Sequence, residues 1–123
     1  MRAIVCGGRD FEDYGFLRDF LDVIAREHGI DMVIEGGADG ADALARRWAR
    51  DRATPRLTVP ADWYGFGRQA GPKRNAEMLT HAPDIVIAFP GGRGTADMVN
   101  KARAAGIQVV EVERAGHAGS GEG

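Results

Sequence analysis

The chain has 123 residues, enough for one domain with a single sizeable core. It is 44% hydrophobic and 28% charged, the balance of an ordinary globular protein, and its net charge of −2 excludes a bulk basic field for nucleic acid while leaving room for a local basic patch. The single cysteine, Cys6, excludes an intrachain disulfide, and no cysteine pair or His-x-x-x-His spacing points to a metal site.

Ala3, Ile4, Val5 and Cys6 form an apolar run closed by Gly7 and Gly8, which predicts a buried strand. Residues 11–27 have helical spacing, with Phe16, Phe20, Val23 and Ile24 as the core-facing stripe and Gly29 as the C-terminal stop. Met32, Val33 and Ile34 predict a second strand, broken by Gly36 and Gly37. Residues 39–52 predict a second helix with Ala41, Leu44, Ala45 and Trp48 on its apolar face. Arg46, Arg47, Arg50 and Arg52 crowd its end, where cations suit the dipole and read as a solvated face. A third strand at 57–59 stops at Pro60, and residues 60–72 read as a loop carrying Trp63, Tyr64 and Phe66. A third helix opens at Pro72 and runs to about 81, a fourth strand covers 84–89, a fourth helix 95–105 and a fifth strand 108–112. From Ala115 the chain is glycine-rich and lacks bulky apolar side chains, which predicts a disordered tail over 115–123 behind a domain of residues 1–114. Met1 and Arg2 lead directly into the first strand, leaving no space for a signal peptide, and no apolar run spans a membrane; the expectation is a cytoplasmic protein.

Strand and helix alternate throughout, and the strands are too apolar to have a wet face. This predicts an α/β fold with a mostly parallel five-stranded sheet and helices on both faces. In such sheets ligands bind beyond the carboxyl ends of the strands, where the strand order reverses. Gly7-Gly8, Gly36-Gly37 and Gly91-Gly92 each follow a strand, so all three glycine loops belong to that edge.

The stretch from Phe89 to Met98 is the most informative. A strand runs into Pro90-Gly91-Gly92-Arg93-Gly94-Thr95 and then a helix, which brings backbone N–H groups and the positive end of a helix dipole to one point, a recipe for holding phosphate. Gly91, Gly92, Gly94 and Thr95 are the candidate phosphate ligands, with Thr95 able to cap the helix or donate its hydroxyl. In the first loop Gly7 and Gly8 precede Arg9, a planar fork for phosphate or carboxylate, and Asp10, which can pair with Arg9, cap the next helix or meet a ligand. In the second loop Gly36, Gly37 and Asp39 are the candidates, with Asp42 a weaker one. Lys73 and Arg74, at the start of a helix, oppose its dipole unless an anion docks there, which marks Arg74, beside Asn75, as an anion ligand. Trp63, Tyr64 and Phe66 either stack on a base or pin their loop to the domain. Cys6 reads as a small strand residue rather than a reactive thiol.

The run Glu35-Gly36-Gly37-Ala38-Asp39-Gly40-Ala41-Asp42 resembles the second-strand loop of the DprA/Smf proteins. Pro90-Gly91-Gly92-Arg93-Gly94-Thr95 resembles the Pro-Gly-Gly-x-Gly-Thr loop of the LOG-type phosphoribohydrolases. Together they resemble the SLOG superfamily of Rossmann-like, three-layer domains. Gly7-Gly8-Arg9-Asp10-Phe11, Pro60-Ala61-Asp62-Trp63 and Gly71-Pro72-Lys73-Arg74-Asn75 are similar to its small single-domain bacterial and phage branch related to YspA, over roughly residues 2–112. The resemblance implies a site for a nucleotide or nucleotide-derived ligand, with phosphate on the loop from Pro90 to Thr95, charge from Arg9 and Arg74, and ribose hydroxyls on Asp39 or Asp10.

LOG-type enzymes cleave an N-glycosidic bond with an arginine and a glutamate, and the region around Arg74 resembles their arginine helix. Their pattern places the glutamate three residues after the threonine, where this chain has Met98. Asp97 lies one residue earlier, about 100° around the helix. If the protein is a hydrolase of this kind, Asp97 or Glu77 is the expected carboxylate; otherwise it is a sensor. The alternatives are single-stranded nucleic-acid binding of the DprA kind, and an oligomeric scaffold with a vestigial pocket. No cofactor or metal is expected, and a homodimer is plausible by resemblance.

Overall fold

The computed structural model describes residues 1–113, so the expected tail over 115–123 lies outside the described residues. Strand β1 (Arg2–Cys6) leads to helix α1 (Tyr14–His28), β2 (Met32–Glu35), α2 (Ala41–Asp51) and β3 (Arg56–Thr58). A short helix α3 (Trp63–Phe66) and a 3₁₀ turn (Gly67–Gln69) precede α4 (Ala70–Leu79), followed by β4 (Ile85–Ala88), α5 (Arg93–Ala104) and β5 (Gln108–Glu111). The strands form one sheet in the order β3-β2-β1-β4-β5. Every pairing is parallel, with Ile4 opposite Ile34 on one side and Val86 on the other. The sheet is therefore wholly rather than mostly parallel, and its order reverses between β1 and β4.

Alternation along the strands distributes the core to two faces. Ala3, Val5, Val33, Ile85 and Ile87 pack with Leu17 and Leu21 of α1 and Ala41, Ala45 and Trp48 of α2. Ile4, Ile34 and Val86 point the other way, against Met78 of α4 and Met98 and Ala102 of α5. This is the three-layer, Rossmann-like α/β arrangement. Among the described residues no helix is long and apolar enough to cross a membrane.

Several local expectations are corrected. Helix α1 begins at Tyr14, because the Asp13 carboxylate accepts from the Phe16 amide at 3.1 Å and stops the helix from reaching back to Phe11. Its innermost residues are Leu17 and Leu21, flanked by half-buried Phe16, Phe20 and Ile24, while Val23 is exposed. The segment 60–72 is largely helical: the Asp62 carboxylate caps α3 through the Gly65 amide at 2.9 Å, and α4 starts at Ala70. The arginines of α2 are not simply solvated. Arg46 reaches Glu35, Arg52 reaches Asp22, and Arg47 lies over the Tyr14 ring with Asp51 beside it.

Candidate functional site

The loops after β1, β2 and β4 meet at the carboxyl edge of the sheet and are bound to one another. The Gly8 amide donates to the Pro90 carbonyl at 2.8 Å, and the Gly8 carbonyl accepts from the amides of Phe11 and Ala41. That close crossing explains two glycines. A Cβ on Gly40, whose φ is +70°, would overlap the Gly8 carbonyl oxygen. A Cβ on Gly91 would overlap the Thr95 hydroxyl and sit 2.7 Å from the Gly8 nitrogen. By contrast, a Cβ on Gly92 or Gly94 would meet nothing within 4 Å.

Beyond these loops lies a cleft of about 1010 Å³, lined by all three loops and by α3, the 3₁₀ turn, α4 and α5. Helix α5 opens into it with Gly92 as its N-cap and no side-chain cap on its amides. The amides of residues 93–95 have no intrahelical acceptor, as at any helix start, so they and the dipole face the cleft. Thr95 lies inside the first turn and does not cap it, contrary to one expectation for its hydroxyl.

Arg9, Arg68, Arg74 and Arg93 line the walls. Arg9 lies over the Trp63 ring, 5.5 Å from its centre, instead of pairing with Asp10. Arg74 is held from two sides: Nη1 donates to the Gly36 carbonyl at 2.5 Å and Nε to Asn75 Oδ1 at 3.0 Å. It lies a turn inside α4, past the first-turn positions where a cation opposes the dipole, so that argument for it lapses even though the residue lines the cleft. Buried Asn75 extends the network, donating Nδ2 to the Gly94 carbonyl at 3.1 Å and to Asp97 Oδ2 at 3.0 Å. Lys101 donates to the other Asp97 oxygen.

The other site candidates divide. Gly7, Gly8, Asp10, Gly36, Asn75, Gly91, Gly92, Gly94, Thr95 and Asp97 line the cleft. Gly37 and Asp39 line a smaller adjoining hollow of about 290 Å³, which shares Arg9, Gly36, Ala38, Trp63 and Arg74 with the main cleft. Glu77 is exposed and lines neither. Met98 is buried against Met78 and Val86, so the position of the LOG-type glutamate faces the core here.

Sequence reasoning undervalued Glu35 and Asp42. Glu35 is fully buried; Oε1 accepts from Arg46 and from the Gly37 amide, both at 2.7 Å, and Oε2 from the Thr58 hydroxyl. Asp42 Oδ2 accepts from the amides of Gly36 at 3.1 Å and Ala38 at 3.2 Å. Three successive amides of the second glycine loop, those of Gly36, Gly37 and Ala38, thus go to Glu35 and Asp42. Burial pushes the Asp42 carboxyl up, with the Glu35 charge adding to the rise while its amide partners and Arg74 oppose it. The Cys6 thiol, also on the cleft, is pushed up to about 12 by burial first and by Asp42 second, which leaves it protonated at neutral pH. Arg68 and Arg93 were not singled out, since isolated arginines in a loop carry no pattern. Trp63, Tyr64 and Phe66 are exposed and do not pin their segment to the core. No group of three His, Cys, Asp or Glu side chains among the described residues is placed to hold a metal.

A model of the family described as YspA, cpYpsA-related SLOG matches residues 1–66. The Gene 61 protein of Mycobacterium phage D29 is 38% identical over 118 residues, covering 89% of this chain and 94% of the phage protein. A solved structure of DNA processing protein A (DprA) from Streptococcus pneumoniae is similar over 89% of this chain, at 16% identity and a TM-score of 0.47. This chain spans 58% of that one.

Proposed function

The chain belongs to the YspA, cpYpsA-related SLOG family, and from that premise we propose that its cleft binds a nucleotide or nucleotide-derived ligand, with phosphate on the first turn of α5. One observation carries this reading: an α-helix with no side-chain cap opens into a large cleft at the point where strand order reverses. The arginines on the cleft walls supply countercharge, and Arg74 is pre-positioned by Gly36 and Asn75, so little ordering entropy is lost when an anion arrives.

Binding without turnover is the better-supported form. Both oxygens of Asp97 already have protein partners, Asn75 and Lys101. Glu77 lies off the cleft. A sensor or binding module needs neither group to act. A second reading, single-stranded nucleic acid, draws on exposed Trp63, Tyr64 and Phe66, with Arg9 over the first ring and Lys73 over the last.

A thermal-shift series with AMP, ADP, ADP-ribose and cyclic nucleotides, each mixture then analysed by mass spectrometry, tests these readings. Stabilisation with the nucleotide intact supports the binding module. Release of a free base would establish N-glycosidic cleavage instead. A shift only with oligonucleotides, steeply reduced by salt, would favour nucleic acid.

A further inference from the structure

Resting on that reading, we propose that Glu35 and Arg46 are positioning residues for Arg74, although they line neither the cleft nor the hollow beside it. They fix the loop on which its guanidinium rests, and so set anion affinity without touching the anion.

The guanidinium rests on Gly36. Its Nη1 donates to the Gly36 carbonyl at 2.5 Å. A Cβ on Gly36 would overlap that nitrogen and sit 2.7 Å from Arg74 Cζ. Gly36 is not among the glycines with positive φ, so its backbone does not call for glycine. The space taken by Arg74 does. With its carbonyl on the cation and its own amide committed to Asp42, this turn seats a guanidinium rather than cradling a phosphate.

The seat is held from behind. The Gly36 and Ala38 amides donate to Asp42, and the Gly37 amide donates to Glu35. Arg46 uses two nitrogens: Nη1 donates to Glu35 Oε1 at 2.7 Å and Nη2 to the Ala38 carbonyl at 3.1 Å. The Thr58 hydroxyl donates to the other Glu35 oxygen. Side chains from β2 and α2 therefore bind the amides of residues 36–38 and the Ala38 carbonyl, while the Gly36 carbonyl holds Arg74. Glycines give a turn little stiffness of its own, and this network supplies it. A guanidinium loses less freedom to an arriving anion when its seat is already fixed.

An ion pair kept for stability alone can be replaced by well-packed neutral side chains. This pair also reaches the Ala38 carbonyl, a bond that such a replacement removes. Stability and anion affinity should therefore part company when the pair is neutralised.

The test titrates the full chain with inorganic phosphate by calorimetry, alongside urea denaturation of each variant. Glu35→Gln with Arg46→Met removes one charge of each sign, so net charge is unchanged. It should recover most of the stability lost in Arg46→Ala, yet bind phosphate roughly three- to tenfold more weakly than the native protein, the scale of ordering one long side chain on binding. Gly36→Ala should weaken phosphate to a similar extent by displacing the guanidinium directly. Arg52→Ala breaks an ion pair with Asp22 that has no bond to the loop, and should destabilise without changing phosphate affinity. If the paired variant does not fold, Arg46→Lys carries the same expectation, since it keeps the charge but offers one nitrogen where Arg46 uses two. Native phosphate affinity in either the paired variant or Gly36→Ala would overturn the inference and leave the phosphate reading standing. A loss matched by Arg52→Ala would overturn it as well, because affinity would then follow stability. Failure of the native protein to bind phosphate would remove the phosphate reading, and the inference with it.

Discussion

Asn75 donates to the carbonyl of Gly94 at 3.1 Å, which ties the helix bearing Arg74 to the first turn of the helix that opens the cleft. The same amide group accepts from Arg74 and donates to Asp97, so one buried side chain sets the relative placement of cation, carboxylate and helix start. Asn75→Ala should lower stability by about 1–3 kcal/mol through the partners it leaves unsatisfied. It should also weaken phosphate binding although Asn75 is already committed to protein partners. Chemical denaturation and phosphate titration of the same sample measure the two effects.

The glycines of the site are unequal. Gly40→Ala forces a Cβ into the Gly8 carbonyl at a φ of +70°, and should destabilise by at least about 1–3 kcal/mol. Gly92→Leu meets no neighbouring atoms at Cβ. It should melt within a few degrees of the native protein, about 0.5 kcal/mol, yet lose phosphate binding because the side chain stands over the first turn of α5. Binding retained by a folded Gly92→Leu protein would count heavily against the phosphate site.

Arg46 compensates a Glu35 carboxylate that is fully buried. Arg46→Ala strands that charge and should cost about 3 kcal/mol, the lower end for a broken buried pair because Arg46 is partly exposed. Combining Glu35→Gln with Arg46→Met should recover most of the loss. Urea denaturation of the single and double variants reads the coupling.

Acid stability has an identifiable contributor at Asp22. The Arg52 guanidinium, and then the Trp48 indole N–H at 2.8 Å, hold its carboxyl below the ordinary aspartate range. A carboxylate lowered in the folded state contributes stability above the unfolded value, lost as pH falls through the folded one. Asp22→Asn should therefore flatten the fall in melting temperature as the pH drops below about 4, the ordinary aspartate value. An unchanged acid limb would show that this pair contributes nothing measurable.

The strand–loop–helix rhythm was legible because Ile4, Val86 and their neighbours are apolar on both faces and three of the five runs are followed by a glycine pair. The segment 60–72 was not, because Gly65, Gly67, Gly71 and Pro72 all lower helix propensity while the Asp62 cap that offsets them acts only once the chain is folded. The glycine turn after β4 could be read from the sequence, but the starting register of α5 could not. Gly92 takes the cap position and moves Thr95 into the first turn. The roles of Glu35 and Asp42 were hidden for another reason. An acid beside a glycine loop looks like a dipole partner until the sheet register sets Glu35 opposite Thr58 and closes the loop around it.

Pairing of the first and fourth strands has a consequence for how the molecule comes into being. The Arg2 amide meets the Asp84 carboxylate across 82 positions of sequence, and the two sides of the cleft are as far apart along the chain. A nascent polypeptide released only as far as α4 has the means to build half a sheet but no binding site. Ligand capture during synthesis must therefore wait for β4 and α5, and a bound ligand would rest on the fold's least local contacts, those slowest to form.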